Sequence, residues 1–173
     1  MHVAPRARGE SAHVSRGLFR GRGLQGIDAK GRVGIPASLR ATIEANSADR
    51  TVVIDRHPTK PCLIGYDRGW SDQLRNRIER DHERRLERGE TVDRDADFRR
   101  AFATAEDLPF DASGRFVLPP FHRSKAQLGD QAVFLGLGDT FEIWDPATLV
   151  AQPDIDEGLR EVIAFDLSQK GRG

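Results

Sequence analysis

The sequence predicts an α+β, β-rich fold built from two tandem copies of one small β-unit joined by amphipathic helices. Three observations predict it. The stretch Asp28-Ala29-Lys30-Gly31-Arg32-Val33-Gly34-Ile35-Pro36 returns as Asp111-Ala112-Ser113-Gly114-Arg115-Phe116-Val117-Leu118-Pro119. Asp, Gly, Arg and Pro match at a constant offset of 83 residues, which also aligns Arg40 with Arg123 and Phe19 with Phe102. Short apolar runs separated by turn residues follow each copy, and the chain between the copies changes to helical spacing. An ungapped match of this kind marks an internal duplication, which has to be settled before any other reading.

Each element follows from local chemistry. Asp at the first position and Gly at the fourth make a type I turn, in which the Asp carboxylate accepts backbone N–H groups just beyond it. Asp28 and Gly31, and Asp111 and Gly114, are therefore turn residues. Leu24 and Ile27 before the first turn, and Val33 and Ile35 after it, suit strands. Each copy reads as a β-hairpin whose loop presents Lys30 and Arg32, or Ser113 and Arg115. Pro36 and Pro119 end the strand and open a helix, because proline's missing N–H is harmless at the first helical position. Those helices run over Ala37 to Ala45 and Pro120 to Leu128, with Gly129 as the stop of the second. Two strands then follow in each copy: Thr51 to Ile54 and Cys62 to Tyr66, then Ala132 to Leu135 and Thr140 to Trp144. A unit of roughly 45 residues is small for an independent core, so duplication or oligomerisation is the expected remedy.

Between the copies, Trp70, Leu74 and Ile78 recur at helical spacing, with Leu86 less well in phase. After Gly89, Phe98, Ala101, Phe102 and Ala105 do the same. Two amphipathic helices are predicted, starting near Asp67 or Ser71 and near Asp93. The mixed-charge tract from Arg75 to Arg100 reads as a solvated face with i,i+4 pairs, since acids match bases there nearly one for one. Asp145-Pro146 caps a further short helix, and Asp154 to Phe165 reads as a C-terminal helix. The predicted organisation is a basic, disordered extension over 1–17, a first unit over 18–66, and a helical connector over 67–101. A second unit covers 102–145, with C-terminal helices and tail over 146–173.

Composition excludes several classes. The 27 Lys and Arg are balanced by 27 Asp and Glu, with a single cysteine, Cys62, so no disulfide framework exists within the chain. No apolar run approaches the ~20 residues a membrane helix needs, and the N-terminus has arginines but no apolar core of a secretory signal. The charge is unevenly placed: up to Arg40 there are eight basic residues against Glu10 and Asp28. Such asymmetry points to nucleic acid, with a solvated basic tail as the alternative for residues 1–17.

Two copies of Asp-x-x-Gly-Arg, each followed by an apolar strand, Pro and Arg, resemble the MraZ family of bacterial transcriptional regulators, within the wider AbrB-like class. Leu18-Phe19-Arg20-Gly21 and Phe141-Glu142-Ile143-Trp144-Asp145 strengthen the likeness, which covers about residues 18–167. The resemblance implies two AbrB-like (double-psi or swapped-hairpin) units per chain, assembly into a homo-oligomeric ring, and a cytoplasmic, nucleoid-associated protein. It implies binding of double-stranded DNA at short repeated boxes upstream of its own division and cell-wall gene cluster. An AbrB-like antitoxin, or an interaction module acting through a protein partner, is the alternative.

Guanidinium is permanently charged and engages phosphate or guanine O6/N7 through two bonds, so an arginine on a rigid loop suits DNA. Arg32 is the first candidate, with Lys30, Arg20 and Arg22 near it. Arg115 follows, its copy weakened by Ser113 in place of lysine; Arg40 and Arg123 lie on helices. Asp28 and Asp111 can instead pair with Arg32 and Arg115 across their turns. No catalytic residue, metal, cofactor or small-molecule substrate is expected. Gly21-Arg22-Gly23-Leu24-Gln25-Gly26 fits G-x-G-x-x-G, yet a hairpin follows it where a dinucleotide site needs a helix. The five histidines have no ligand spacing with one another or with Cys62.

Overall fold

The computed structural model describes residues 15–171. The first copy runs β1 (Arg22–Gly26), β2 (Arg32–Gly34), α1 (Ala37–Ser47), β3 (Thr51–Arg56) and β4 (Leu63–Asp67), and the connector is α2 (Arg68–Glu87) and α3 (Arg94–Phe102). The second copy repeats the order as β5 (Glu106–Pro109), β6 (Arg115–Val117), α4 (Pro120–Lys125), β7 (Gln131–Gly136) and β8 (Phe141–Trp144). Two helices close the chain, α5 (Pro146–Val150) and α6 (Glu157–Lys170). The fold class is α+β with antiparallel strands, as the sequence predicts.

The reading of each copy as a closed hairpin needs correcting. Only an isolated bridge, Ile27 to Val33, joins the strands on either side of the first turn. β1 pairs instead with β7, β5 with β3, and β2 with β6, so each copy completes its ladders with strands of the other. One sheet has the order β1-β7-β8-β4-β3-β5, and β2 and β6 form a separate two-stranded ribbon. This is the swapped-hairpin arrangement. Its physical basis is that an isolated hairpin is marginal in water, whereas interleaved strands share one apolar interior.

Matched backbone bonds show the exchange to be symmetric. Ile35 N–H donates to the Gly114 carbonyl at 2.8 Å, and Leu118 N–H to the Gly31 carbonyl at 2.9 Å. Ile27 N–H donates to Asp130 at 2.8 Å, as Phe110 N–H does to Arg50 at 2.9 Å. The copies are thus related by a local two-fold through the Val33–Phe116 pair of the ribbon. Phe19 and Phe102 fall outside it: Phe19 is buried in the core beside Phe141, whereas Phe102 ends α3, half-buried.

The interior draws on both copies, with Ile27, Val33, Leu39, Val52 and Ile54 packed among Phe110, Phe116, Phe134, Phe141 and Ile143. Strand alternation sends Val133 and Leu135 to the other face, where they join Trp144 of β8 and are covered by Leu149 of α5 and Ile163 of α6. Val53 and Tyr66 meet Trp70 and Leu74 of α2 in the same way.

Helix ends follow their caps. Asp67, Asp93, Asp145 and Asp156 each accept an N–H of the first turn that follows. Pro36 and Pro119 occupy the cap position itself rather than the first helical one. α1 extends to Ser47, where Ala48 turns left-handed, and α4 stops at Lys125 with Gln127 left-handed, so Gly129 is not its stop. The C-terminal helix starts and ends later than its apolar spacing suggests, because Asp156, not Asp154, caps it. In the charged tract, Arg85–Asp97 and Arg94–Glu79 tie α2 to α3 in place of i,i+4 pairs within one helix. Leu86 is exposed. Residues 1–14 of the basic extension lie outside the described residues. Arg16, at its end, donates both Nη groups to the buried Asp67.

Candidate nucleic-acid interface

The ribbon is a two-stranded sheet apart from the six-stranded one, and its register decides what it shows to solvent. Arg32 lies opposite Val117, Val33 opposite Phe116, and Gly34 opposite Arg115. Val33 and Phe116 point inward and are 1% and 2% exposed. Directly opposed residues share a face, so the outward set is Arg32, Val117, Gly34 and Arg115. Two arginines from sequence positions 83 apart thereby meet on one small surface.

Each turn holds its arginine in the same way. Asp28 Oδ1 accepts the Lys30 and Arg32 N–H groups at 2.9 Å, and Asp28 Oδ2 accepts Arg32 Nε at 2.6 Å. Asp111 accepts the Ser113 and Arg115 N–H groups at 2.9 and 3.0 Å and Arg115 Nε at 3.2 Å, with the Ser113 hydroxyl adding a bond at 2.6 Å. The aspartates pair across their turns and hold one edge of each guanidinium. The Nη groups of both arginines have no partner among the described residues, and Arg32 is 46% exposed. A guanidinium clamped through Nε and open at Nη is oriented for a bidentate acceptor.

The bonds from Arg32 hold the Asp28 carboxyl below the usual carboxylate range, and those from Ser113 and Arg115 hold Asp111 lower still. A depressed native value stabilises the fold above the unfolded value of about 3.9 and ceases to do so as pH falls through the native one. Both turns therefore stay clamped at neutral pH. An NMR titration is expected to place both midpoints below about 3.9, Asp111 the lower; ordinary midpoints would mean the clamps are not formed in solution.

Gly31 and Gly114 have φ of 77° and 84°, which L side chains rarely adopt. A Cβ on Gly114 would also stand 2.7 Å from Nη1 of Arg40. Gly114→Ala is expected to cost about 1–2 kcal/mol in urea denaturation. An open groove of about 760 Å³ beside the ribbon is lined by Gln25, Gly34, Arg32, Ser113 and Arg115 among others.

Comparison with known proteins places the chain in a family. Residues 101–153 match the family model described as "MraZ protein, putative antitoxin-like". A protein of Rhodospirillum rubrum named transcriptional regulator MraZ is 35% identical over 127 residues, 72% of this chain and 77% of its own length. Proteins of the same name from Cupriavidus taiwanensis and Roseiflexus castenholzii are 31% and 36% identical; the matches cover 84% and 75% of this chain, and 96% and 82% of those proteins. The chain belongs to the MraZ family.

Within this MraZ fold the other sequence-predicted residues separate. Lys30 is exposed at the tip of the first turn, next to Arg32. Arg20 is exposed and has no ion-pair partner among the described residues. Arg22 is drawn elsewhere: its Nε donates to Asp166 of α6 at 2.7 Å, on the strand face that carries Leu24. Arg123 donates to the Leu128 and Gly129 carbonyls at 3.2 and 2.6 Å, and so serves as a cap beyond α4. Arg40 is half-buried against the Gly114 turn of the other copy. Gly34 and Val117, which complete the outer face, were not singled out by the sequence reading. The alternation from Arg32 and Arg115 was the available signal. Among the described residues no group of three or more His, Cys, Asp or Glu is placed to hold a metal ion, and no helix is long and apolar enough to cross a membrane.

Proposed function

We propose that this chain is a sequence-specific DNA-binding transcriptional regulator and not an enzyme, and that the β2–β6 ribbon is its reading element. The observation that carries the reading is the joining of Arg32 and Arg115, each clamped by an aspartate, on the outer face of a two-stranded ribbon. A two-stranded ribbon fits the major groove of B-DNA, where arginine binds guanine O6 and N7. Lys30, at the tip of the first turn, and Arg20, exposed ahead of β1, supply phosphate contacts that position without specifying. Membership of a family whose relatives are named transcriptional regulators supports the same reading.

One ribbon makes few contacts, so a single chain binds weakly. Assembly into a homo-oligomeric ring, in the cytoplasm and at the nucleoid, lets several ribbons engage short repeated boxes at high effective concentration. The promoter of the protein's own division and cell-wall cluster is the proposed target. Footprinting on that fragment, with sizing by light scattering, tests both parts. Protection at regularly spaced boxes is expected, with log affinity falling against log salt by about 0.9 for each phosphate neutralised. No protection in dilute buffer would remove the regulator reading. Co-purification of a stoichiometric protein partner in its place would favour the antitoxin alternative.

A further inference from the structure

The local two-fold relates the four outward positions of the ribbon as Arg32 with Arg115 and Gly34 with Val117. The arginines keep the symmetry and the second pair breaks it. Val117 is 54% exposed and belongs to none of the apolar clusters, so the core does not require it. A single exposed apolar residue is ordinary on a protein surface. This one stands directly across from Arg32, on the same face, at a cross-strand Cβ separation of about 4.5–5.5 Å.

That juxtaposition has a counterpart in the groove. The 5-methyl group of thymine is an apolar feature on major-groove base edges, and small apolar side chains contact it. Successive bases on a strand are about 3.4 Å apart, so side chains paired across the ribbon reach neighbouring bases. We propose that Val117 is a specificity-determining residue that packs on the 5-methyl group of a thymine next to the base engaged by Arg32. The inference rests on the DNA-binding reading above. Gly34, its symmetry mate, has no side chain to do the same, so the ribbon reads a methyl group in one half only.

The test is a promoter fragment copied with dUTP in place of dTTP, which removes every 5-methyl group and leaves the hydrogen-bonding edges intact. Losing burial of one methyl is expected to weaken wild-type binding about fourfold for each engaged subunit. Val117→Ser is expected to bind both fragments equally, near the wild-type affinity for the uracil fragment. Val117→Thr, which keeps a methyl and the β-branched shape, is expected to retain discrimination. Val117→Gly, which copies the symmetry mate Gly34, is expected to lose it and decides the matter if the serine variant does not fold. Equal wild-type binding to both fragments, or undiminished discrimination by Val117→Ser, would overturn the inference while leaving the regulator reading intact. Failure of the wild-type protein to bind the thymine fragment would overturn both.

Discussion

Replacing Arg32 by alanine is expected to abolish specific DNA binding while oligomer size and thermal stability stay nearly unchanged. The side chain contributes little to the fold, because its partner Asp28 is exposed and surface ion pairs of this kind contribute little to stability. A bidentate arginine contact to a base contributes about 1–3 kcal/mol, roughly five- to 150-fold in affinity, and in a multi-subunit assembly the loss compounds. Arg115→Ala is expected to act in the same direction and less strongly, since its turn carries Ser113 where the first carries Lys30. Fluorescence anisotropy on the promoter fragment, beside a scrambled duplex of equal length, measures both. Lys30→Ala should weaken binding to the two duplexes alike and flatten the salt dependence, as a phosphate contact does. Wild-type affinity in the Arg32 variant would sink the assignment of the ribbon.

The second large effect concerns the fold. Phe141→Ala is expected to destabilise the protein by about 3–5 kcal/mol, the usual cost of deleting a buried phenylalanine. Phe141 is fully buried where the copies meet, edge-on to Phe19 at 5.2 Å and tilted against Phe134 at 6.0 Å. Its ring also lies over Gly65, where an added Cβ would come within 2.3 Å of it. Gly65→Ala alone should therefore be costly, and in the Phe141→Ala background it should cost far less. Such coupling between touching residues is what a double-mutant cycle reads. Equilibrium urea denaturation of the four proteins tests this, and additive costs would mean the ring does not seat on Gly65 in solution.

The contrast between these two sites explains how much was legible beforehand. Asp28, Gly31 and Arg32 form a turn whose bonds all lie within a few residues, so residue type and spacing were enough to place them. The same holds for the caps at Asp67, Asp93 and Asp145, where a carboxylate meets an N–H three residues on. Arg22 was less legible. It was expected near Arg32 as a DNA contact, yet its ion pair with Asp166 spans 144 residues of sequence, a distance at which local pattern carries no information. Arg123 looked like Arg40 by its offset, and the extra backbone carbonyls at Leu128 and Gly129 gave it a different task.

By itself, then, the sequence determined the duplication, the two aspartate-clamped turns, and most helix starts. These rest on hydrogen bonds and side-chain periods that close within one turn of the chain. Tertiary structure alone decided which strands pair, and so decided that Arg32 and Arg115 share one surface with Val117 between the copies. An apolar face specifies that a strand must be covered and does not name its partner; the common interior of two interleaved copies made that choice.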